Sequence, residues 1–216
     1  MPKITEEEAA ARRTEIIDAC EALYQSESYR DITMTQVGQK VSFGRANVYN
    51  YFQNKDEILL ALLQREYELW VEDLSALGEV AASLDGVGLA DELAKSVQAR
   101  TQMLKILAMN LYDIEQNSRL ESLIEFKLVY KHAVEALKAV VRAGKPAWDE
   151  CRIDRFVYGF MPFMHGAYPY AFHSDKQCAA MEAAGVDQPD LSIYSLVRDL
   201  AEKLLQDDGG HETINE

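Results

Sequence analysis

The sequence predicts an all-α protein, on three observations. Apolar residues recur at three- and four-residue spacings along most of the 216 residues, the spacing that stacks side chains on one face of a helix. No stretch sustains the two-residue alternation of a half-buried strand. The punctuation between apolar stretches is helix-capping chemistry, a hydroxyl or amide residue followed three positions later by Glu or Gln. A chain of this length buries a real core as one domain or two small ones. The pattern divides it into a unit of short helices over residues 1–54 and a larger helical bundle over 55–216.

Thr5-x-x-Glu8 opens a first helix over about 6–26 with a buried stripe of Ile16, Cys20, Leu23 and Tyr24. Its first-turn residues Glu6, Glu7 and Glu8 complement the positive end of the helix dipole. Thr33 with Gln36 caps a short second helix that shares Val37 and Val41 on one face, and Ser42-Phe43-Gly44 interrupts it. A third helix from Gly44 or Arg45 to Phe52 turns Val48 and Phe52 inward. Asn54 with Glu57 forms another capping box and opens a long fourth helix striped by Leu59, Leu62, Leu63, Trp70, Leu74 and Leu77. Ser83 to Gly88 reads as a loop because it holds two glycines. Helices follow over about 89–100, 101–115 and 119–143, the last stopped by Gly144-Lys145-Pro146 with the glycine suited to a left-handed conformation. A helix over about 149–172 contains Pro162 and Pro169, which predict a kink or break. After a loop from Gly185 to Pro189, a helix over about 189–205 carries Ile193, Val197, Leu200 and Leu204 as a seam for another helix.

Composition narrows the classes. No apolar run approaches the roughly 18–20 residues that a bilayer requires, and Met1-Pro2-Lys3 leads directly into acidic residues, which points to the cytoplasm and away from a membrane. Cys20, Cys151 and Cys178 are far apart and odd in number, so they read as small core residues rather than a disulfide or zinc framework. The formal net charge of -14 opposes a polyanionic partner, but the acid lies elsewhere than residues 28–55, where Arg30, Lys40, Arg45 and Lys55 face Asp31 alone.

Two short helices joined by a tight turn and packed on a first helix make the unit that places its last helix in a major groove. With Val48 and Phe52 inward, the third helix exposes Ala46, Asn47 and Asn50, flanked by Arg45 and Tyr51, with Tyr49 at the boundary. The stretch from Ile32 to Leu59 resembles the DNA-binding domain of the tetracycline-repressor (TetR) family. The resemblance rests on Thr33, Val37 and Gly38, on Arg45-Ala46-Asn47-Val48-Tyr49-Asn50-Tyr51-Phe52, and on Lys55 with Glu57. It implies a homodimeric, ligand-responsive transcriptional regulator, a repressor more often than an activator, that reads a palindromic double-stranded operator. Half-site centres would lie about 34–36 Å apart or at a multiple of that. By position it places Arg45 and Asn50, with Thr35 from the second helix, at base edges, and Asn47, Tyr49 and Lys55 at phosphates. The chain departs from the family in three places. Val41-Ser42-Phe43 replaces an alanine-glycine-hydrophobe turn, so Ser42 is expected in a glycine-like conformation. Gly38 stands for the usual alanine, and Gly44 for a capping serine.

The family layout also implies that the helices over 149–172 and 189–205 form the dimer, in agreement with the seam at Ile193, Val197, Leu200 and Leu204. A small apolar or aromatic effector is expected among Met103, Tyr112, Phe126, Tyr130, Phe160, Met164 and Tyr168, a set chosen on composition, although aromatics at helical spacing are more often core. His132, His165 and His173 lack the carboxylate spacing of a metal site, and no cofactor is expected. No H-E-x-x-H, G-x-S-x-G or glycine-rich phosphate loop is present, so an enzyme would need an unrecognised site. The alternative is a helical protein-interaction or small-molecule-binding module that does not read DNA sequence, for which the acidic charge is the best support.

Overall fold

The computed structural model describes residues 5–206, and among them there are helices and no strand. In chain order these are α1 (Glu6–Ser26), α2 (Met34–Lys40), a 3-10 helix (Arg45–Asn50), α3 (Lys55–Val80), a 3-10 turn (Ala81–Ser83), α4 (Gly86–Gln98), α5 (Thr101–Met109), α6 (Leu111–Asn117), α7 (Leu120–Gly144), α8 (Glu150–Ala171), α9 (Asp175–Ala184) and α10 (Ile193–Leu205). The first three pack as a head against the start of α3. The remainder of α3 lies along α7, while α10 packs on α4 and α8, and α5 on α8. One continuous apolar core runs from Ile16 in α1 to Leu205 in α10.

Capping chemistry sets the beginnings of these elements. Both Thr5 with Glu8 and Thr33 with Gln36 form the reciprocal pair of bonds the sequence predicts. The Asn54 box is only half formed. The Asn54 carboxamide accepts the Glu57 N–H, but the Glu57 carboxylate turns to the Gln53 N–H at 2.8 Å and to Arg119 instead. α3 buries far more than the expected stripe: Ile58, Leu60, Ala61 and Tyr67 join Leu59, Leu62, Leu63, Trp70, Leu74 and Leu77, because the head and the body cover different sides of it.

Several expectations give way. The loop predicted up to Gly88 ends sooner, since Asp85 accepts the Gly88 N–H and starts α4 at Gly86. The single helix expected over 101–115 is two, broken at Asn110, whose backbone leaves helical geometry at φ -146, ψ 0. Gly144 is the last residue of α7 and not a left-handed cap; Lys145 closes the helix at φ -132 instead, and a β-carbon at Gly144 would lie 2.6 Å from Leu89 Cδ2. α8 continues through Pro162 and Pro169 without a break. Each proline removes one N–H and allows the φ a helix needs, and burial of Ile153, Phe156, Val157, Phe160, Met161, Met164 and Ala167 along one side outweighs the two missing bonds. α9 was not expected at all. Ser174 and Gln177 form its capping box, and Gly185, at φ 66, takes the left-handed position that closes it. Of the cysteines only Cys20 is a core residue; Cys151 is exposed and Cys178 half-buried.

Candidate nucleic-acid interface

The head presents its 3-10 helix outward because Val48 and Phe52, both 1% exposed, nail the opposite side to the core. Arg45, Ala46, Asn47, Tyr49 and Asn50 are exposed and Tyr51 half-exposed, so the sequence-predicted set lies together on one surface. Its winding differs from expectation: six residues in 3-10 geometry, with Tyr51 and Phe52 in the closing turn, replace an α-helix reaching Phe52. Gly44 caps it with no side-chain bond. Asn50 Nδ2 and Asn47 Oδ1 lie 3.4 Å apart, a contact loose enough to leave both amides for a ligand.

The supporting turn is built differently from the glycine-like turn that the sequence suggests. Among the described residues no non-glycine has positive φ, so Ser42 carries no such strain. The Glu15 carboxylate of α1 instead accepts both the Ser42 N–H and, at 3.0 Å, the Ser42 hydroxyl. The guanidinium of Arg12 lies 5.2 Å from the Phe43 ring centre and that of Arg13 4.5 Å from Phe52. Gly38 on α2 has a steric purpose. A β-carbon there would sit 2.4 Å from Arg45 Cγ, so the absence of a side chain lets Arg45 cross α2.

Three candidates are held elsewhere. Thr33 is exposed but spends its hydroxyl and N–H on Gln36, while Thr35 is half-buried on α2. Lys55 donates to the Tyr29 carbonyl at 2.6 Å and lies 4.0 Å over the Tyr29 ring, so in this state it braces the α1–α2 connection rather than reaching toward a phosphate.

Sequence reasoning missed the joint between head and body. The buried Glu57 carboxylate accepts from Arg119 Nε at 2.5 Å, Arg119 Nη2 at 2.9 Å and the Arg119 backbone N–H at 3.1 Å. Burial alone would raise its pKa; the bonds from the Arg119 side chain, then from the Gln53 and Arg119 backbones, hold it below the ordinary glutamate value. Next to it the buried Asp56 accepts from the Tyr29 hydroxyl at 2.6 Å and from Asn117 Nδ2 at 2.9 Å. Burial and then the Asp56 bond push the Tyr29 phenol upward. Asn54 Nδ2 donates to the Asn117 carbonyl at 2.9 Å. The α6–α7 junction thus grips the start of α3. The acids were visible as first-turn residues of α3, but their partners Asn117 and Arg119 lie about 60 positions away, beyond any local pattern.

The effector candidates do not converge on one cavity. Met103, Phe126, Phe160 and Met164 are core, Tyr112 is exposed, Tyr130 borders a cleft of about 250 Å³ with Tyr158, Met161, Pro162 and His165, and Tyr168 lines a different cleft of about 550 Å³. Of the seam residues, Ile193 and Val197 are buried in the chain's own core, and only Leu200 and Leu204 retain exposed surface. No group of three or more metal-ligating side chains occurs among the described residues, and no helix there is long and apolar enough to cross a membrane.

Comparison with known proteins agrees with this architecture. The family model described as bacterial regulatory proteins, tetR family, matches residues 16–62, and that of the tetracyclin repressor-like C-terminal domain matches residues 64–206. The HTH-type transcriptional repressor Rv1474c of Mycobacterium tuberculosis is 26% identical over 92 residues, 43% of this chain and 49% of that protein. The chain spans about half the length of the curated relatives it matches. Among solved structures, a putative TetR-family transcriptional regulator from Mesorhizobium loti aligns with a TM-score of 0.61 at 12% identity, covering 91% of this chain and 94% of that one. FadR from Bacillus subtilis, solved in complex with stearoyl-CoA, aligns with a TM-score of 0.54 at 14% identity, covering 89% and 97%. These structural likenesses establish the fold, and the two family models, which together account for the head and the body, establish that the chain belongs to the TetR family of bacterial regulatory proteins.

Proposed function

We propose that the protein is a transcriptional regulator that binds a palindromic operator as a homodimer and is released from it by a small effector. The observation that carries this reading is the outward face of the 3-10 helix, where Arg45, Ala46, Asn47, Tyr49 and Asn50 stand exposed on a base fixed by Val48 and Phe52. Arg45 is the residue suited to guanine, whose O6 and N7 match its fork, and the amides of Asn47 and Asn50 serve base edges or phosphates. Tyr51 flanks that face, and Thr33, Thr35 and Lys55 would join the contact only on leaving their present surroundings. The M. tuberculosis relative is a transcriptional repressor, which favours repression here.

A dimer face is available on α8 and α10. Gly159 and Gly166 are seven residues apart on the exposed side of α8; Leu204 packs at Gly159, and a β-carbon at Gly166 would meet nothing within 4 Å among the described residues. With the half-exposed Leu200 and Leu204 these positions form an apolar face on which a second copy can seat its own α8 and α10. The effector would be a small, largely apolar molecule bound to the body; the B. subtilis structural neighbour was solved with a small molecule, stearoyl-CoA. Such a molecule regulates only by preferring one of two states.

Fluorescence anisotropy against DNA from upstream of the protein's own gene, with an Arg45→Ala variant and a salt series, tests the reading. Tight binding that weakens with salt and loses sequence preference in the variant supports it. If selection from random DNA also recovers no palindrome, the regulator reading fails.

A further inference from the structure

A cleft of about 550 Å³ lies between head and body rather than inside the body. Its walls come from the end of α1 and the turn after it, from the α5–α6 junction, and from the end of α8 and start of α9. That volume suits a small ligand. The apolar lining is aromatic: Tyr168 and Phe172 stack with ring centres 4.7 Å apart, Tyr29 and Tyr24 face the same space, and Met109 adds a thioether. Phe172 is 47% and Met109 57% exposed, so this wall is open to solvent as it stands.

The cations in the cleft have no acidic partner. Lys105 is half-buried, no carboxylate among the described residues pairs with it, and burial, the sole cause acting on it, lowers its pKa. Its ammonium rests on the Tyr24 carbonyl and 4.2 Å over the Tyr24 ring. Arg30 lies at the rim, also without an ion pair among the described residues. The lining acid, Glu27, is engaged by Gln36 Nε2 at 2.9 Å. A desolvated ammonium satisfied only by a neutral carbonyl binds an anion more strongly than an exposed lysine does, because the pair forms where water screens it least.

That ammonium also fastens the two halves. α1 has no basic residue of its own in its last turn, and Lys105 supplies one from α5, while the Tyr24 hydroxyl donates to Asn110 Oδ1 at 3.1 Å. We propose that this cleft binds a small organic anion with a flat apolar body, whose charged group takes the Lys105 ammonium from the Tyr24 carbonyl and frees the end of α1 from the body. The ring system lies between Tyr168, Phe172 and Tyr29. The ligand prefers the state in which α1 is released, which is the differential affinity that regulation requires. The binding half stands without the operator; the regulatory half rests on the proposed function above.

The test uses the full chain and the dye anilinonaphthalene sulfonate, an anion with aromatic rings, with the neutral N-phenylnaphthylamine as its counterpart. The sulfonate dye should bind the wild type, lose affinity about tenfold or more in Lys105→Met, and be displaced by naphthoate but not by naphthamide. Affinity for the neutral dye should hold in Lys105→Met and fall in Phe172→Ala. Phe172 is exposed, so its variant keeps the fold, and thermal melts of both variants check this. Equal binding of the sulfonate dye by the wild type and both variants overturns the site. Naphthoate should also release labelled operator from the wild type and not from Lys105→Met. Dye binding that follows Lys105 while operator affinity is unmoved by naphthoate overturns the regulatory half alone. Dye binding that follows Lys105 in a protein that binds no DNA keeps the site and rejects the regulator.

Discussion

Removing the Arg119 side chain tests whether the joint between head and body is held by a buried charge. In the wild type the Glu57 carboxylate receives two side-chain bonds from Arg119, at 2.5 and 2.9 Å, besides two backbone bonds that an alanine would preserve. Bonds to a charged group contribute about 1.5–3 kcal/mol each, but the Arg119 side chain is 42% exposed and water can enter on that side. The expected cost of Arg119→Ala is therefore about 2–3 kcal/mol, below the full cost of orphaning a buried ion. For a chain of this size that lowers Tm by about 4–12 °C. Urea unfolding at fixed protein concentration measures it, and a cycle with Glu57→Gln isolates the pair at a coupling of about 1–2 kcal/mol. The pH dependence supplies an independent reading. Because the folded carboxyl sits below its ordinary value of 4.5, the pair's contribution is complete above pH 4.5 and is lost as pH falls through the lowered folded value. Without Arg119, burial dominates and the folded value rises, so acid unfolding should begin at higher pH than in the wild type. A cost under about 0.5 kcal/mol with additive single variants would refute the argument, as would an unshifted acid limb.

Three further outcomes follow from named contacts. Gly38→Ala should push Arg45 from its path across α2 and weaken operator preference by about tenfold or more in anisotropy titrations, with a small change in Tm; unaltered preference would show that Arg45 does not read bases from this position. Tyr67→Phe deletes a buried hydroxyl that has no hydrogen-bond partner among the described residues, so urea unfolding should show stability unchanged or raised by up to about 1 kcal/mol, and a clear loss would reveal a partner for it. A β-carbon at the exposed Gly166 meets no atom within 4 Å among the described residues, so Gly166→Glu should leave the helical circular dichroism intact while sedimentation shows monomer; a persisting dimer would move the interface off this part of α8.

The head was legible in the sequence because its determinants are local. The Thr33 capping box, Val48 and Phe52 at one-turn spacing and a short polar stretch between them lie within about twenty residues of Thr33, and the structure reproduces that layout. The winding of Arg45–Asn50 was not legible, since the same inward residues fit three or 3.6 residues per turn over so short a length. Pro162 and Pro169 misled in the other direction: helix propensity argued for a break, and tertiary burial along α8 overruled it. α9 could have been found from Ser174, Gln177 and Gly185, but it buries no residue and so lacks the apolar period that marks a helix. Neither the Asp56 and Glu57 joint nor the cleft at Lys105 has a sequence signature, because each is assembled from segments tens of residues apart.

The engagement of Lys55 with Tyr29 bears on how this regulator would search a genome. Each cation that neutralises a phosphate adds about 0.9 to the slope of log affinity against log salt. With Lys55 occupied, the proposed recognition face offers Arg45 and uncharged groups. Affinity for random DNA, which is almost wholly counterion release, would then be low, and the net charge of -14 lowers it further. Such a protein would spend little of its time on non-operator sites, and its occupancy of the operator would be governed by hydrogen bonds that short-range fit alone can form.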